Sequence, residues 1–313
     1  VSGLAVVTAL AISSLPAHAD APSPSNSAGG ELGIVLPHDQ ASHTAGSGGN
    51  LIYHTGGSVQ TGNHTTYAIY WSPFKSTFGS GYQSVIDGYF SNVAAASGAT
   101  SNVYYSDTQY YQTVGGTTTP ITYSESAGNS ATDTSSPTAS GCSSTAGGAL
   151  GCISDAQIQA EVQKVAATLG GAGLNKEYFV FLGKGVSTCY SSSSCFVSQF
   201  CAYHSHVGSG SSTYLYANMP YTGFSPAACG SGVSPNNNPD ADSTINVTSH
   251  EANETITDAL GNAWYDRRGY ENGDKCAWNF GPGGSYNQTI NLTHYYLQQE
   301  WSNYSSGCVL TGK

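Results

Sequence analysis

Charge is scarce in this chain, and positive charge scarcer still. Only 9% of the 313 residues are charged, with eight Lys and Arg against nineteen Asp and Glu, for a formal net charge of −11. No basic patch is present to neutralise phosphates, which argues against a nucleic-acid partner. Beyond the N-terminal leader no run reaches 18 consecutive apolar residues, so no membrane span is expected. There is no Cys-x-x-Cys pair, which disfavours thiolate ligation of zinc. No Gly-x-Ser-x-Gly segment follows a convincing strand, which disfavours a serine hydrolase. No internal repeat is visible.

What is present points to an exported protein. Residues 1–19 lack charged side chains, carry an apolar stretch from Leu4 to Leu15 and end in Ala17-His18-Ala19, the pattern of a signal peptide cut before Asp20. Residues 20–64 are rich in Gly, Ser, Pro and His without sustained periodicity and read as a flexible leader or propeptide-like segment. His38, His43 and His54 lie there as scattered, incidental histidines. Residues 65–313 are expected to form one domain. The eight cysteines make an even count, as expected for disulfides in an oxidising compartment. Spacing does not fix connectivity; joining near neighbours gives Cys142–Cys152, Cys189–Cys195, Cys201–Cys229 and Cys276–Cys308.

The pattern of elements predicts an α/β or α+β fold, a mixed β-sheet flanked by helices and stabilised by disulfides. Thr65–Trp71 reads as a strand, 82–96 as a helix, and Asn102–Tyr105 as a second strand. The Gly/Ser/Thr tract 113–150 reads as an irregular excursion. Ser154 caps a helix carrying Ile158, Val162, Val165 and Leu169 at helical spacing. Glu177–Leu182 reads as a buried central strand and Thr213–Ala217 as another.

Chemistry concentrates between 240 and 274, where eight of the nineteen acids fall: Asp240, Asp242, Glu251, Glu254, Asp258, Asp266, Glu271 and Asp274. Acids this dense repel one another unless a cation lies among them. A helix capped by Asp242 or Ser243 and stopped at Gly261 would face the core with Ile245, Ala252, Ile256 and Ala259. On it His250 and Glu254, four residues apart, share one face and can reach a single metal. Glu251 sits beside them, placed to take a proton from a water whose pKa zinc lowers to about 7. Taken alone, His-Glu-x-x-Glu is also what a solvated acidic helix with one histidine would show.

The elements Ser249-His250-Glu251-Ala252-Asn253-Glu254, Asn262-Ala263-Trp264-Tyr265 and Glu271-Asn272-Gly273-Asp274-Lys275-Cys276, preceded by Cys201-Ala202-Tyr203-His204, together resemble the EXORDIUM and phosphate-induced protein family and its secreted microbial relatives. Gln299-Glu300-Trp301-Ser302-Asn303, with Cys308 after it, is similar to that family's closing helix. The resemblance covers roughly 65–313 and is strongest from 201 onward. It implies a zincin-like helix, an extracellular or cell-wall setting, His250, Glu254 and Asp274 as metal ligands, and Glu251 as general base. Asp258, one turn beyond Glu254, is an alternative to Asp274, and Glu271 is a further candidate. His204 either approaches the metal or binds an oxyanion, against the bland alternative of a packed loop histidine; His206 has a weaker claim. Tyr265 and Tyr270 are candidate oxyanion donors, and Trp264 and Trp278 read as core or cleft wall.

One imidazole with two carboxylates favours a single Zn2+, while the oxygen-rich shell keeps Ca2+ or Mn2+ open. The leading expectation is a secreted, monomeric, metal-dependent endopeptidase acting on protein or peptide, with no nucleic-acid or membrane partner after signal cleavage. The alternative is a non-catalytic extracellular or wall-associated protein whose metal is structural.

Overall fold

The computed structural model describes residues 33–41, 48–143, 146 and 148–313. The expected signal peptide, the first part of the leader and His43 lie outside the described residues. Seven strands form the main sheet: β1 (Ile34–Val35), β2 (His64–Trp71), β3 (Glu125–Ala127), β4 (Ala131–Asp133), β5 (Lys176–Leu182), β6 (Ala202–Val207) and β7 (Tyr214–Met219). Their order is β1-β6-β7-β5-β2, with β3 and β4 pairing successively along the far side of β2. Strands β7, β5, β2, β3 and β4 run parallel, whereas β6 is antiparallel to β7 and β1 is antiparallel to β6. This is the mixed, helix-flanked sheet that the sequence pattern predicts.

The continuous apolar run of β5 follows from its position, buried on both faces and flanked by parallel neighbours. Helix α1 (Tyr82–Ala95) and the long α3 (Pro239–Thr257) cover one face of the sheet, and α2 (Asp155–Leu169) covers the other. Successive residues of β6 show the division. The Tyr203 hydroxyl donates to Asp155 Oδ1 on α2 at 2.8 Å, and His204 then turns to the face of α3. Helix α2 begins with the expected Ser154 cap, completed by Gln157 as a reciprocal capping box.

Several local expectations are corrected. Residues 34–35 and 52–53, assigned to a loose leader, are built into the fold: β1 extends the sheet, and Ile52–Tyr53 pairs with Trp264–Tyr265. Both segments draw their order from distant strands, a constraint that local composition does not carry. Val103–Gln109 is a 3-10 helix and not a strand, with Ser106 and Thr108 hydroxyls bonding back to the carbonyls three residues earlier. The 113–150 tract contains β3, β4 and a hairpin of Tyr111–Val114 with Thr117–Pro120. Glu300–Ser302 is a strand of a hairpin with Gly307–Val309 rather than part of a closing helix, its geometry pinned by the Cys276–Cys308 disulfide at one flank. All four disulfides pair as near-neighbour joining predicts.

The cap of α3 is Asn238, whose side chain accepts from the Ala241 N–H, followed by Pro239 at the first helical position. The expected caps Asp242 and Ser243 lie inside the helix instead. Ile245, Ala252, Ile256 and Ala259 are buried as expected, but so is every residue from Ala241 to Thr257. The helix runs through the middle of the molecule, with β6 and β7 on one side and the C-terminal segment on the other. Its many Ser, Thr and Asn side chains, poor helix formers, are accommodated by local back-bonds such as Thr248 Oγ1 to Thr244 O at 2.8 Å. Contacts to other elements complete this, among them the Tyr82 hydroxyl to Thr244 Oγ1 and the Thr255 hydroxyl to Glu177 Oε1 at 2.7 Å. Tertiary packing, not intrinsic propensity, holds this helix.

Glu177 on β5 is fully buried, and that burial raises its carboxyl to about 8 despite the Thr255 hydrogen bond. A carboxyl raised on folding stays protonated in the native state after it has ionised in the unfolded one. Stability from this group is therefore complete below the unfolded value and falls as pH rises toward 8. Glu177→Gln keeps an acceptor for Thr255 and removes the titration. Thermal melts from pH 4.5 to 8 should show a flatter decline for the variant than for wild type; parallel curves would contradict this.

Candidate metal centre

Helix α3 carries His250, Glu251 and Glu254; the 3-10 turn Asp274–Cys276 carries Asp274; β6 carries His204; and Glu271 precedes the turn. Glu254 is the meeting point. His250 Nε2 lies 2.9 Å from Glu254 Oε1 and 3.7 Å from Asp274 Oδ1, while His204 Nε2 lies 3.4 Å from Glu254 Oε2 and 3.2 Å from Glu271 Oε2. Two ligand sets result, His250–Glu254–Asp274 and His204–Glu254–Glu271, each with its donor atoms within 4.8 Å of one another. Ligands about 2.0 Å from a tetrahedral zinc stand roughly 3.3 Å apart, within the range seen here.

The cluster also fits a cation electrostatically. His204, His250, Glu251, Glu254, Glu271 and Glu300 are all buried. The neighbouring cation, Lys275, is engaged by Asp266 at 2.8 Å and covers the Trp301 ring. His250 Nε2 and Glu254 Oε2, although within ion-pair reach of partners, make no hydrogen bond, nor do Glu271 Oε1 or either oxygen of Glu251 or Glu300. His204 Nε2 and Glu271 Oε2 do meet in a hydrogen bond at 3.2 Å; the remaining close pairs approach without one, an arrangement that a shared cation would fit. So many unpaired buried oxygens would be costly without a positive charge.

Protonation follows the same geometry. Burial opposes charge on His204, but the Glu271 and Glu254 carboxylates raise it well above the ordinary imidazole value. His250 is raised likewise against burial by Glu254 and Asp274. Burial would raise Glu254, yet the charge of His250 and the close approach of both imidazoles hold it at about 2. Glu251 and Glu271 are pushed well above the carboxylate range, by burial first, and burial with the Glu254 charge brings Asp274 to about 6. These are the shifts of acids competing for too few positive charges.

A close approach at the turn is built from glycine. Gly273, before Asp274, has no room for a side chain: a Cβ there would stand 2.9 Å from Glu254 Oε1 and from the His250 ring. Its absence lets the Asp274 N–H donate to Glu254 Oε1 at 2.9 Å. Behind His250, Nδ1 lies 2.7 Å from the Gln298 side-chain nitrogen, which also donates to Gly273 O at 3.1 Å. The Gln298 amide is fixed from both ends, its Oε1 accepting from the Trp278 N–H at 3.3 Å and its nitrogen donating to Gly273 O, so it positions the His250 ring by presenting a donor to Nδ1.

Of the residues singled out from sequence, His250, Glu254 and Asp274 come together, with Glu251 alongside. His204 and Glu271 join them, so His204 is no packed loop histidine. Asp258 belongs to neither ligand set, although its charge reaches Glu271. Its Oδ1 accepts from the N–H groups of Asn262 and Ala263 at 2.6 Å each, fastening the turn that ends α3. Tyr265 stacks on His54, Tyr270 lies under Arg268, and Trp264 is buried against Tyr110. His206 lies two residues beyond His204, and its imidazole is lowered by burial and by the charge of His204. The grouping of Cys142, Cys152 and Cys189 is not a thiolate site, because all three are in disulfides. Sequence reasoning does not single out Gln298 or Glu300 as site residues: Glu300 stands in a motif marked only by resemblance, and Gln298 carries no sequence signal.

Compared with protein-family models, curated proteins and solved structures, the chain matches none.

His204→Ala and Asp258→Ala separate ligand from turn. His204→Ala should weaken zinc binding in a competitive titration by at least about ten-fold. Asp258→Ala should lower unfolding free energy by roughly 1–3 kcal/mol while leaving zinc affinity near wild type. The reverse pattern would place the metal one turn further along α3.

Proposed function

We propose that the protein is a metal-dependent, secreted endopeptidase in which Glu251 is the general base. The observation that carries this reading is the Glu251 carboxylate. It is fully buried, neither oxygen has a hydrogen-bond partner among the described residues, and it lies in the fields of His250, Glu254, His204 and Asp274. A structural metal site has no use for an uncommitted carboxylate beside its ligands.

In this reading His250, Glu254 and Asp274 hold the metal, with His204 and Glu271 on the second side of Glu254. The presence of two imidazoles in the combined set favours zinc over calcium. A zinc ion bound there would supply Lewis acidity toward a water and a peptide carbonyl. With a bound cation offsetting the burial that otherwise keeps it protonated, Glu251 would accept the water proton on a carboxylate oxygen and return it to the leaving amine. Gln298 would orient His250, and burial of the acids would strengthen every charge interaction in the site. Export is supported by four disulfides and by the absence, among the described residues, of a helix long and apolar enough to cross a membrane. The ordered motifs of the EXORDIUM resemblance, with its zincin-like helix, support the same assignment.

A second reading, a structural metal that holds α3 to β6 and the C-terminal segment, is favoured by one observation. All the candidate ligands are buried, as they are in closed sites. Glu251→Gln distinguishes the two. Under the catalytic reading, casein hydrolysis by the zinc-loaded protein falls by at least about 10²-fold while zinc content and melting temperature hold. Zinc-bound protein that cleaves nothing between about pH 4 and 9, both as wild type and with the N-terminal strand Ile34–Val35 displaced by Val35→Asp, would leave the structural reading standing.

A further inference from the structure

A peptidase site has to admit an extended chain, yet this one is covered by the protein's own N-terminal stretch. Strand β1 lies antiparallel along the outer edge of β6, with Ile34 opposite Tyr203 and Val35 opposite Ala202. The Cys201 N–H donates to Val35 O at 2.7 Å and the His204 N–H to Gly33 O at 3.3 Å. Gly33 is buried against the centre itself: a methyl group added there would collide with Glu254 Oε2 and His204 Nε2. The backbone at residue 33 therefore occupies the space directly in front of the two groups that belong to the second ligand set.

Residues 36–38, immediately after β1, are firmly seated. The Trp278 indole N–H donates to Leu36 O at 2.7 Å, the His38 ring stacks on Trp278 at 4.0 Å, and the His38 N–H donates to Ala228 O. By contrast β1 is only two residues long and is the terminal strand of the sheet. An edge strand such as β6 offers a row of backbone donors and acceptors that an extended peptide can use, with side-chain pockets giving the specificity. Alone in the sheet, the β6 edge carries a candidate ligand, His204, at the place where the added strand passes.

From this we infer that the β6 edge is the substrate-binding edge, and that residues 33–36 lie in it as a built-in substrate mimic that keeps the full-length chain closed. The inference rests on the peptidase reading for the word substrate, but the closed edge does not. It assigns the substrate class as extended polypeptide running antiparallel to β6, with glycine where the chain passes His204 and Glu254. Opening requires only that β1 leave the sheet; the anchoring of residues 36–38 on Trp278 need not change.

The test uses the full-length, zinc-loaded chain in wild-type form and as two variants. Gly33→Leu places a side chain where none fits, and Val35→Asp puts a charge in a fully buried position without touching the cluster. Two readouts are followed: the rate of zinc transfer to a chromogenic chelator, and binding of a fluorescent hexapeptide with the sequence of residues 32–37. In the closed wild type, transfer is slow and no peptide binds; in both folded variants transfer is faster by about ten-fold or more and peptide binds. Should Gly33→Leu misfold or lose its zinc, Val35→Asp decides alone. Folded Val35→Asp protein that transfers zinc at the wild-type rate and excludes the peptide overturns the inference. Variants that bind the peptide yet hydrolyse no protein leave the inference standing and sink the peptidase reading. Hydrolysis by a wild type that also excludes the peptide does the opposite.

Discussion

The structure depends on the buried carboxylate of Glu254. Placed near the C-terminal end of a helix sealed from water along almost its whole length, it is held by imidazoles from two directions, His250 from its own helix and His204 from the sheet. A carboxylate in such a place must be compensated, or folding bears its full desolvation cost. The surrounding acids Glu251, Glu271, Asp274 and Glu300 add to the demand, and two imidazoles cannot meet it. A divalent cation can. Under the proposed metal reading, sheet, helix and turn are the scaffold for that cation: β6 would deliver His204, α3 His250 and Glu254, and the disulfide-anchored turn Asp274.

Much of this was legible because it is local. His250, Glu251 and Glu254 sit at helical spacing, and the acids of 271–274 stand next to a cysteine, so the chemistry announces itself in a short window. The strands β2, β5 and β7 and the helices α1 and α2 were equally readable from period and capping. Asp258 shows where spacing stops informing. Helical spacing places it one turn past Glu254, but the helix ends there, its backbone leaves helical geometry, and its carboxylate is used to bind the N–H groups of the following turn. Spacing arguments expire where the helix does.

The remainder was hidden because it is set by partners far away in sequence. Nothing in Gly33-Ile34-Val35 distinguishes a sheet strand from a loose tail until β6 is known to have a free edge. Val103–Gln109 has the aromatic and β-branched composition of a strand, but its side chains bond to their own backbone. His204 could not be placed from sequence, since only the fold shows that it points at α3 while Tyr203 points at α2. The apolar period of α3 marks one core-facing side and leaves the surroundings of its polar side open; other elements of the chain surround it, and its Thr and Asn side chains are linkers to β5, α1 and the C-terminal segment.

The central claim is that a metal is held by imidazole and carboxylate at Glu254. X-ray absorption at the zinc edge of the purified, zinc-loaded protein tests it directly. The account predicts about one or more zinc ions per chain, a first shell of nitrogen and oxygen near ~2.0 Å, and outer-shell scattering from imidazole. No stoichiometric zinc, or a shell with sulfur at about 2.3 Å, would contradict it.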